Sequence, residues 1–431
     1  MGHERRFIYI VSRYILSCAA FLWWLTGRVR WQAKLEPGKG AGIAGAAGIA
    51  GARITIIVSA LGPGGTEHVV SLVASHWARL GCAVTVITLE APASEPYYRL
   101  DPRVAIRRLD VPVQKASKLH AAWLVIRRLY RLRSVIRNSR PDFVLSFLTR
   151  TNVLALLATR GLGFPVIISE RNNPAVQPFG PLWKWLQLRL YPRAFALVTM
   201  TKGALDYFSP EIRRHGRVIP NAINLPAGWE NKRGNNVLTA VGRLTPQKGF
   251  DLLLEAFARI ADRHPDWKLV IWGEGEARRE LEAQREALGL NHRVEMPGLT
   301  PKPGLWLETA DAFVLSSRYE GWGIVLLEAM AAGLPVVSFA CDWGPTDMIA
   351  DGEDGILVPN GDITALADAL SDVMGDDTLR TRLAANAEAN VRRYDADHVL
   401  SQWDAMALSA LEQSAACKKQ VKPYPANATG Y

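Results

Sequence analysis

Residues 318–335 have the sequence RYEGWGIVLLEAMAAGLP, and this stretch decides how the second half of the chain folds. Short apolar runs suited to buried strands flank it, at Ala312–Leu315 and Pro335–Phe339. Between them, Gly323–Ala332 is rich in residues that favour helices. The order strand, loop, helix and strand is typical of a parallel sheet with helices packed on its faces.

The same alternation of strands and helices extends along the chain in both directions. In the second half, strands are predicted at Asn236–Val241, Lys268–Trp272 and Arg293–Met296, and helices at Gly249–Arg263, Ala277–Leu288 and near Leu305–Thr309. In the first half, strands are predicted at Arg53–Leu61, Ala83–Leu89, Val104–Leu109, Phe143–Phe147, Val166–Ser169 and Phe195–Thr199, and helices at Glu67–Leu80, about His120–Asn138 and Asn152–Thr159. Two such series predict two Rossmann-like, doubly wound α/β domains that face an interdomain cleft, because ligands bind outside the carboxyl ends of parallel strands.

The domain boundaries follow from this pattern. Residues 53–222 are predicted to form the first domain and residues 223–390 the second. A helix at residues 391–413 is expected to cross back to the first domain, and residues 414–431 are expected to be a disordered tail.

The N-terminus is expected to hold a membrane anchor or an interfacial helix within residues 1–36. Residues 7–25 (FIYIVSRYILSCAAFLWWL) are apolar apart from Arg13 and approach the ~20 residues that a spanning helix needs. An arginine in hydrocarbon is costly, so a helix lying in the interface remains an alternative. The basic residues that follow are unlike a signal-peptide cleavage site. Residues 37–52 are expected to be a flexible Gly/Ala linker, and its GxGxxG match precedes the first strand, so it is not a dinucleotide fingerprint.

Composition and charge narrow the class of protein. The 431 residues are 49% hydrophobic and 21% charged, which excludes a disordered chain, a collagen and a coiled coil. Four widely separated cysteines disfavour a disulfide framework or a cysteine zinc site and indicate a reducing compartment. The formal charge is +20 for residues 1–225 and −10 for residues 226–431. A basic first half indicates an anionic partner, either a membrane or a nucleic acid.

Two glutamates in the opening stretch, Glu320 and Glu328, are candidate ligands for sugar or ribose hydroxyls. Ionised carboxylates accept strong charge-assisted hydrogen bonds from hydroxyl groups. Gly321 and Gly323 lie between them and allow backbone N–H groups to approach a ligand closely. Taken singly, Glu328 also fits an ordinary helix residue, and Glu320 a carboxylate stabilised by the helix dipole.

Two further segments follow predicted strands and are suited to phosphate. Arg243 and Lys248 lie in the loop GRLTPQKG at residues 242–249, where a guanidinium fork and a lysine point charge would neutralise a diphosphate. Gly64 and Gly65 follow the first strand and would let backbone N–H groups cradle phosphate. Alone, the first segment fits a solvated basic loop equally well, and the second fits a tight turn.

As a set, these three segments resemble the large family of retaining glycosyltransferases with the GT-B fold, family 4. The resemblance covers about residues 53–411, and residues 341–349 (CDWGPTDMI) resemble the branch that builds bacterial surface polysaccharides and lipid-linked oligosaccharides. It implies the GT-B fold and a metal-independent transfer of a hexose, with retention, from a nucleotide sugar such as a UDP-sugar. The nucleotide sugar is then a co-substrate, and no cofactor is expected.

The resemblance also implies a role for each matching residue. Arg243 and Lys248 would hold the donor diphosphate and stabilise the leaving group's charge, Glu328 would bind the ribose and Glu320 the donor sugar. The remaining donor contacts would come from Gly64, Gly65, Gly298 in the loop at residues 296–300, Gly321, Trp322, Gly323 and Ile324.

The sequence departs from this family in the first domain, where many members carry a histidine after a strand. The corresponding stretch is ISERNNP at residues 168–174, so Glu170 or Arg171 is expected to orient the donor or the acceptor, with a salt-bridged loop as the alternative. Further acceptor-side candidates are Thr149, Asn152 and Asn172. No metal site is expected, since the Asp395-x-Asp397 pair lies at a predicted helix start.

Two helices of the first domain are candidates for contact with a membrane. Residues 120–140 carry six arginines among apolar residues, and residues 179–191 (FGPLWKWLQLRLY) include Trp183, Trp185 and Leu186. A basic amphipathic helix is typical of binding to an anionic membrane, although core helices with arginines outside would give the same pattern. No nucleic-acid partner is expected, because no recognition motif is visible.

We therefore expect an enzyme at the cytoplasmic face of a bacterial inner membrane, with a lipid-linked or saccharide acceptor. Because a fold does not fix a function, a nucleotide-sugar epimerase or hydrolase, or a non-catalytic membrane scaffold, remains an alternative.

Overall fold

The computed structural model describes residues 48–89, 95–109, 118–176, 180–223, 225, 229–230 and 232–420. The predicted membrane segment at residues 7–25 and most of the Gly/Ala linker lie outside this part of the chain. The predicted fold class is confirmed: two domains each contain a parallel sheet of the Rossmann type.

The first domain contains a seven-stranded sheet in the order β3-β2-β1-β4-β5-β6-β7, with parallel pairing throughout. Its strands are β1 (Arg53–Val58), β2 (Ala83–Thr88), β3 (Ala105–Arg108), β4 (Phe143–Phe147), β5 (Val166–Ser169), β6 (Ala196–Thr199) and β7 (Gly216–Val218). Its helices are α1 (Gly65–Arg79), α2 (Lys118–Ser139), α3 (Thr149–Ala158), α4 (Pro181–Leu190), α5 (Lys202–Asp206) and α6 (Pro210–Arg213). Strands buried along their whole length, such as β4 and β5, are typical of a parallel sheet covered on both faces.

The second domain contains a six-stranded parallel sheet in the order β10-β9-β8-β11-β12-β13. Its strands are β8 (Val237–Val241), β9 (Lys268–Trp272), β10 (Val294–Gly298), β11 (Ala312–Leu315), β12 (Val336–Phe339) and β13 (Ile356–Val358). Its helices are α7 (Phe250–Ala258), α8 (Arg278–Ala287), α9 (Ile324–Ala331), α10 (Pro345–Met348), α11 (Ile363–Gly375) and α12 (Asp377–Val391).

The direction of strand order reverses once in each sheet. The reversal lies between β1 and β4 in the first domain and between β8 and β11 in the second. Such a switch point opens a crevice at the carboxyl ends of its two strands, where α/β proteins bind ligands. Three of the segments that the sequence singled out follow strands at these switch points: Gly64–Gly65 follows β1, residues 242–249 follow β8, and residues 318–335 follow β11.

The last helix, α13 (Ala396–Gln420), packs against the first domain although it follows the second in the chain. Trp403 is buried beside Phe147, with ring centroids 6.1 Å apart, and the Trp77 indole donates to Asp404 over 2.9 Å. The chain therefore passes twice between the domains, and the two passages contact each other through Ile223 N–H and the Tyr394 carbonyl at 2.9 Å.

Some expected boundaries were wrong. Residues 414–420 are helical and not part of a disordered tail, because Ser414 is buried and Lys418 forms an ion pair with Asp142 at 2.7 Å. The end of the predicted flexible linker is packed, since Ile49 is fully buried and its carbonyl accepts from the Cys82 thiol.

Two further differences concern secondary structure in the second half of the sequence. The helix predicted at Gly249–Arg263 ends at Ala258 and is followed by a 3-10 turn at Ala261–Arg263, where Arg293 donates to the carbonyls of Ala261 and His264. The helix expected near Leu305–Thr309 is a single 3-10 turn at Leu305–Leu307. The short strands β7 and β13 were not predicted from the sequence, because a strand of three residues is too short to show a hydrophobic pattern.

Candidate functional site

The two motifs of the second domain meet because β8 and β11 are neighbours. Hydrogen bonds join the loop after β8 to the loop after β11. The Arg318 backbone N–H donates to the Gln247 carbonyl at 2.8 Å, and the Gln247 side-chain amide donates to the Tyr319 carbonyl at 3.0 Å. The Ser316 hydroxyl donates to the Lys248 carbonyl at 2.9 Å. Residues about 70 positions apart in sequence thus form one continuous wall.

A buried ion pair joins the two motifs at the centre of this wall. Lys248 Nζ lies 2.5 Å from Glu320 Oε1, and the Ser317 hydroxyl donates to the same oxygen at 2.7 Å. The side chains are only 15% and 7% exposed. A partly desolvated pair holds both groups in fixed positions, although it is weak evidence for a gain in stability.

Glycines at this wall are required by close backbone contacts. Gly249 has a φ of 62°, and a Cβ there would lie 2.0 Å from the Ser316 carbonyl oxygen. At Gly242, a Cβ would lie 3.0 Å from the Lys248 side chain, which crosses over it. Arg243, in the same loop, is exposed and lines the cleft.

The first domain presents the N-terminus of α1 to the N-terminus of α9. Gly64 is the residue before α1 and caps it without a side-chain bond, and a Cβ at Gly65 would lie 3.2 Å from Ile324. Gly323, in the left-handed conformation with a φ of 88°, begins α9. Helix N-termini carry free N–H groups and partial positive charge, so two of them on one cleft favour an anion.

Glu328 lies one turn into α9 and is largely buried. Burial raises the pKa of Glu328 to about 8, so its carboxyl holds a proton at neutral pH in this form. Its Oε1 lies 3.9 Å from His68 Nδ1 of α1, and burial lowers the pKa of that histidine to about 4. A ribose hydroxyl arriving here would meet a carboxyl that can donate or accept.

The cleft between the domains is about 670 Å³ and brings together most of the predicted site residues. Those that line it are Gly64, Gly65, Arg171, Asn172, Arg243, Lys248, Glu320, Gly321, Trp322, Gly323, Ile324 and Glu328. The loop after β5 lies directly over the loop after β11, since a Cβ on Gly321 would lie 2.7 Å from the Arg171 carbonyl oxygen and 2.9 Å from Asn172 Cα.

Three predicted residues of the first domain do not line this cleft. Glu170 is buried beneath it, where its carboxyl accepts from Thr149 at 2.8 Å, from Asn152 at 3.4 Å and from the Tyr191 hydroxyl. Burial raises the pKa of Glu170 to about 7. The expectation that Glu170, Thr149 and Asn152 contact the substrates is corrected: their side chains bond to one another below the β5 loop.

Gly298 also lies outside the lining, although its successors Leu299 and Thr300 belong to it. Its carbonyl accepts from Gly273 N–H at 2.8 Å, and its φ of 94° turns the chain into the lining loop. Gly298 therefore shapes the loop at residues 296–300 from behind the cleft.

The structure adds cleft residues that the sequence did not indicate. The Tyr97 hydroxyl of the first domain lies 2.7 Å from Thr300 Oγ1 of the second, bridging the cleft, and Tyr98 stacks on His68 at 4.8 Å. Asn221, from the passage between domains, also lines it. No motif marks these residues, because they lie in loops whose placement depends on packing.

The two membrane-surface candidates differ in what they expose. Along α2, Leu129, Leu132 and Ile136 are buried in the core, while Val125 and Tyr130 are exposed beside the exposed arginines of the outer face. On α4, by contrast, Leu182, Trp185 and Leu188 are 65%, 43% and 53% exposed. Of the residues predicted there, Trp185 is exposed, Trp183 is half-buried beneath Arg150, and Leu186 is buried. In the part of the chain that is described, no helix is both long and apolar enough to span a bilayer.

Comparison with protein-family models identifies both halves of the chain. Residues 223–390 match the model described as glycosyl transferases group 1, and residues 64–222 match the model described as a glycosyl transferase 4-like domain.

Two curated relatives match this chain over nearly their full length. A Campylobacter jejuni protein, named as an α-1,4-N-acetylgalactosaminyltransferase acting on GalNAc-α-(1→4)-GalNAc-α-(1→3)-diNAcBac-PP-undecaprenol, is 27% identical over 81% of this chain and 97% of its own. The amylovoran biosynthesis glycosyltransferase AmsD of Erwinia amylovora is 28% identical over 79% of this chain and 95% of its own. Among solved structures, Anabaena HepE in complex with UDP and glucose superposes with a TM-score of 0.69 at 19% identity, covering 83% of this chain and 99% of HepE. That last likeness concerns the fold.

Proposed function

The chain belongs to the group 1 glycosyltransferases with the GT-B fold, and from this premise we propose that it transfers a sugar from a UDP-sugar to a lipid-linked saccharide or a polysaccharide. The observation that carries the proposal is the convergence of Arg243, Lys248, Glu320 and Glu328 on one cleft, opposite the N-terminus of α1. The relatives named above act on an undecaprenol-linked saccharide or in amylovoran synthesis, which favours this acceptor class.

The donor fits the second domain with its diphosphate at the two helix N-termini. Arg243 and Lys248 supply positive charge on one side, and Gly65 supplies a backbone N–H group on the other, since the Gly64 N–H already donates to the Gly62 carbonyl at 3.0 Å. Glu328 binds the ribose hydroxyls. Glu320, fixed by Lys248 and Ser317, accepts a hydroxyl of the transferred sugar.

Transfer proceeds with retention through attack on the face from which the nucleotide leaves. The acceptor hydroxyl oxygen forms the new bond to the anomeric carbon as the bond to the β-phosphate oxygen breaks, and the departing phosphate oxygen takes the hydroxyl proton. This route needs no protein nucleophile, which agrees with the position of Glu170 below the cleft and with the engagement of Glu320 by Lys248. The barrier is lowered mainly by charge stabilisation of the leaving UDP.

Arg243 and Lys248 take the part that a divalent cation would otherwise play, so we propose that the reaction is independent of metal. Turnover is expected to be unchanged after treatment with EDTA. A loss of activity that added Mg²⁺ or Mn²⁺ restores would contradict this part of the proposal.

We further propose that the enzyme works at the cytoplasmic face of a bacterial inner membrane, held by its N-terminal residues and by α4. The exposed Leu182, Trp185 and Leu188 would enter the interface, while arginines of α2 face anionic headgroups. In a variant lacking residues 1–36, changing these three α4 residues to Ser should abolish sedimentation with phosphatidylglycerol vesicles. Leu288→Ser, an exposed leucine of the second domain, is the matched control.

Product analysis tests the central proposal. The purified protein, a panel of nucleotide sugars and a lipid extract are expected to give a glycosylated lipid and free UDP in equal amounts, with an α-configured new linkage for an α-configured donor. An isomeric nucleotide sugar formed without acceptor would indicate an epimerase, and free sugar would indicate a hydrolase. Absence of any stabilisation by UDP would indicate a scaffold without a donor site.

A further inference from the structure

Arg171 is a buried cation without an anion. The residue is 5% exposed, and its Nη1 donates to Asn221 Oδ1 at 2.9 Å. Its Nε and Nη2 are buried and have no hydrogen-bond acceptor among the described residues. The guanidinium lies over the Phe147 and Trp403 rings, 5.6 Å and 5.2 Å from their centroids, and no carboxylate of the described chain pairs with it.

Such an arrangement is costly in a folded protein. Burial lowers the pKa of Arg171 to about 9, which reflects the absence of a compensating charge. Aromatic faces and one amide offset only part of the desolvation of a guanidinium, whose five N–H groups need acceptors. A group of this kind is retained where a ligand supplies the missing anion.

The surroundings of Arg171 add a second feature suited to an anion. Leu148 also lines the cleft and precedes α3, a helix of ten residues that has no side-chain cap at its N-terminus. Leu148 has a φ of 74° and a ψ of 141°, a backbone conformation that is strained for a residue with a side chain. Leu148 and Arg171 thus belong to the same side of the cleft, and the N-terminus of α3, with its free N–H groups, follows Leu148 directly.

We infer that Arg171 and the N-terminus of α3 form a subsite for a phosphate group of the acceptor. The donor diphosphate has its own ligands at Arg243 and Lys248, on the opposite wall. Arg171 instead belongs to the first-domain loop that covers Gly321, so a phosphate bound here would be held by the first domain and not by the charged loops of the second. Arg171 Nε and Nη2 are both shielded from solvent. Binding of a phosphate therefore requires a small widening of the cleft or a rotation of the Arg171 side chain.

This inference deepens the proposed function and rests on it only for the identity of the donor. The experiment uses the full chain in detergent, with the donor site saturated by UDP and sodium pyrophosphate as the probe. Thermal stabilisation and calorimetry are expected to show a saturable effect of pyrophosphate on top of that of UDP. In Arg171→Gln, UDP still stabilises the protein, while pyrophosphate binds at least about tenfold more weakly, because charge-assisted bonds are lost.

The matched control is Arg213→Gln, which removes an exposed arginine of α6 that pairs with Asp206 at 3.2 Å and should leave pyrophosphate binding unchanged. If Arg171→Gln does not fold, Arg171→Lys can be used instead. It keeps the charge but not the forked guanidinium, so the affinity for pyrophosphate should fall several-fold. Pyrophosphate that merely competes with UDP, or that binds equally to wild type and the Arg171 variants, overturns the inference.

Two further ligands test whether the bound phosphate belongs to a lipid-linked diphosphate or to a phosphate-bearing polymer. Competition by geranyl diphosphate assigns the subsite to a lipid-linked diphosphate, and stronger competition by ribitol 5-phosphate assigns it to a phosphate-bearing polymer. If wild-type protein binds no UDP, the proposed function fails, and pyrophosphate alone then decides whether Arg171 forms an anion site.

Discussion

Replacing Lys248 by methionine tests whether the buried pair with Glu320 serves the reaction or only the fold. Methionine keeps most of the side-chain volume over Gly242 and removes the charge. Glu320 would then keep only the Ser317 hydroxyl at 2.7 Å while remaining 7% exposed.

The expected magnitudes follow from this geometry. Removing one partner of a buried pair costs ~3–5 kcal/mol of unfolding free energy, and we expect the lower end because Ser317 remains. Changing both residues in Lys248→Met/Glu320→Gln removes the unpaired charge, so stability should return to within about 1 kcal/mol of wild type. Donor binding should not return, because loss of one charge-assisted hydrogen bond to the diphosphate should lower the affinity for UDP by roughly 10-fold to 100-fold.

Three measurements are made on the same preparations. Chemical denaturation gives the unfolding free energy, calorimetry gives the affinity for UDP, and a nucleotide-release assay gives the turnover. Wild-type stability in Lys248→Met would show that the pair is not desolvated as described. Recovery of turnover together with stability in the double variant would refute the assignment of Lys248 to the donor diphosphate.

Three further changes have definite expected results. A Cβ at Gly321 meets the loop of the first domain, so Gly321→Ala should lower kcat in the release assay, whereas Gly180→Ala, with no atom of the described chain within 4 Å, should not. Burial raises the pKa of Glu328 to about 8 in the folded state, so wild type should lose stability as pH rises between about 5 and 8, and Glu328→Gln should lose less of it, because the raised pKa of Glu170 still contributes; denaturation at both ends checks this. Asp404→Ala leaves the buried Trp77 indole without its acceptor and should cost about 2 kcal/mol in denaturation without changing kcat; an unchanged midpoint would contradict this role for α13.

Much of the fold was predictable because parallel strands buried on both faces leave a local signal. β4, β5, β9 and β11 lie at the predicted residues, since each is a short apolar run bounded by turn residues. The helix α13 extended beyond its predicted end, because its last turns are fixed by an ion pair with Asp142, which lies more than 270 residues earlier.

The convergence of the charged loops of the second domain was largely predictable for a topological reason. Arg243, Lys248, Glu320 and Glu328 follow two strands that become neighbours at a switch point, so motifs remote in sequence must share one edge. The acceptor side lacked such a guide, and adjacent residues there separate: Glu170 turns below the β5 loop while Arg171 remains in the wall of the cleft.

The sequence by itself determined the two α/β domains and the charged loops that follow their strands. Only the tertiary structure decided that Lys248 pairs with Glu320, that Tyr97 bridges the domains and that Arg171 is buried with no counterion among the described residues. Periodicity and loop chemistry are local properties of the chain, whereas burial and the distance between charges depend on which remote segments pack together. For that reason, the raised pKa of Glu328 follows only from the folded protein. The same is true of the Arg171 N–H groups that have no acceptor among the described residues.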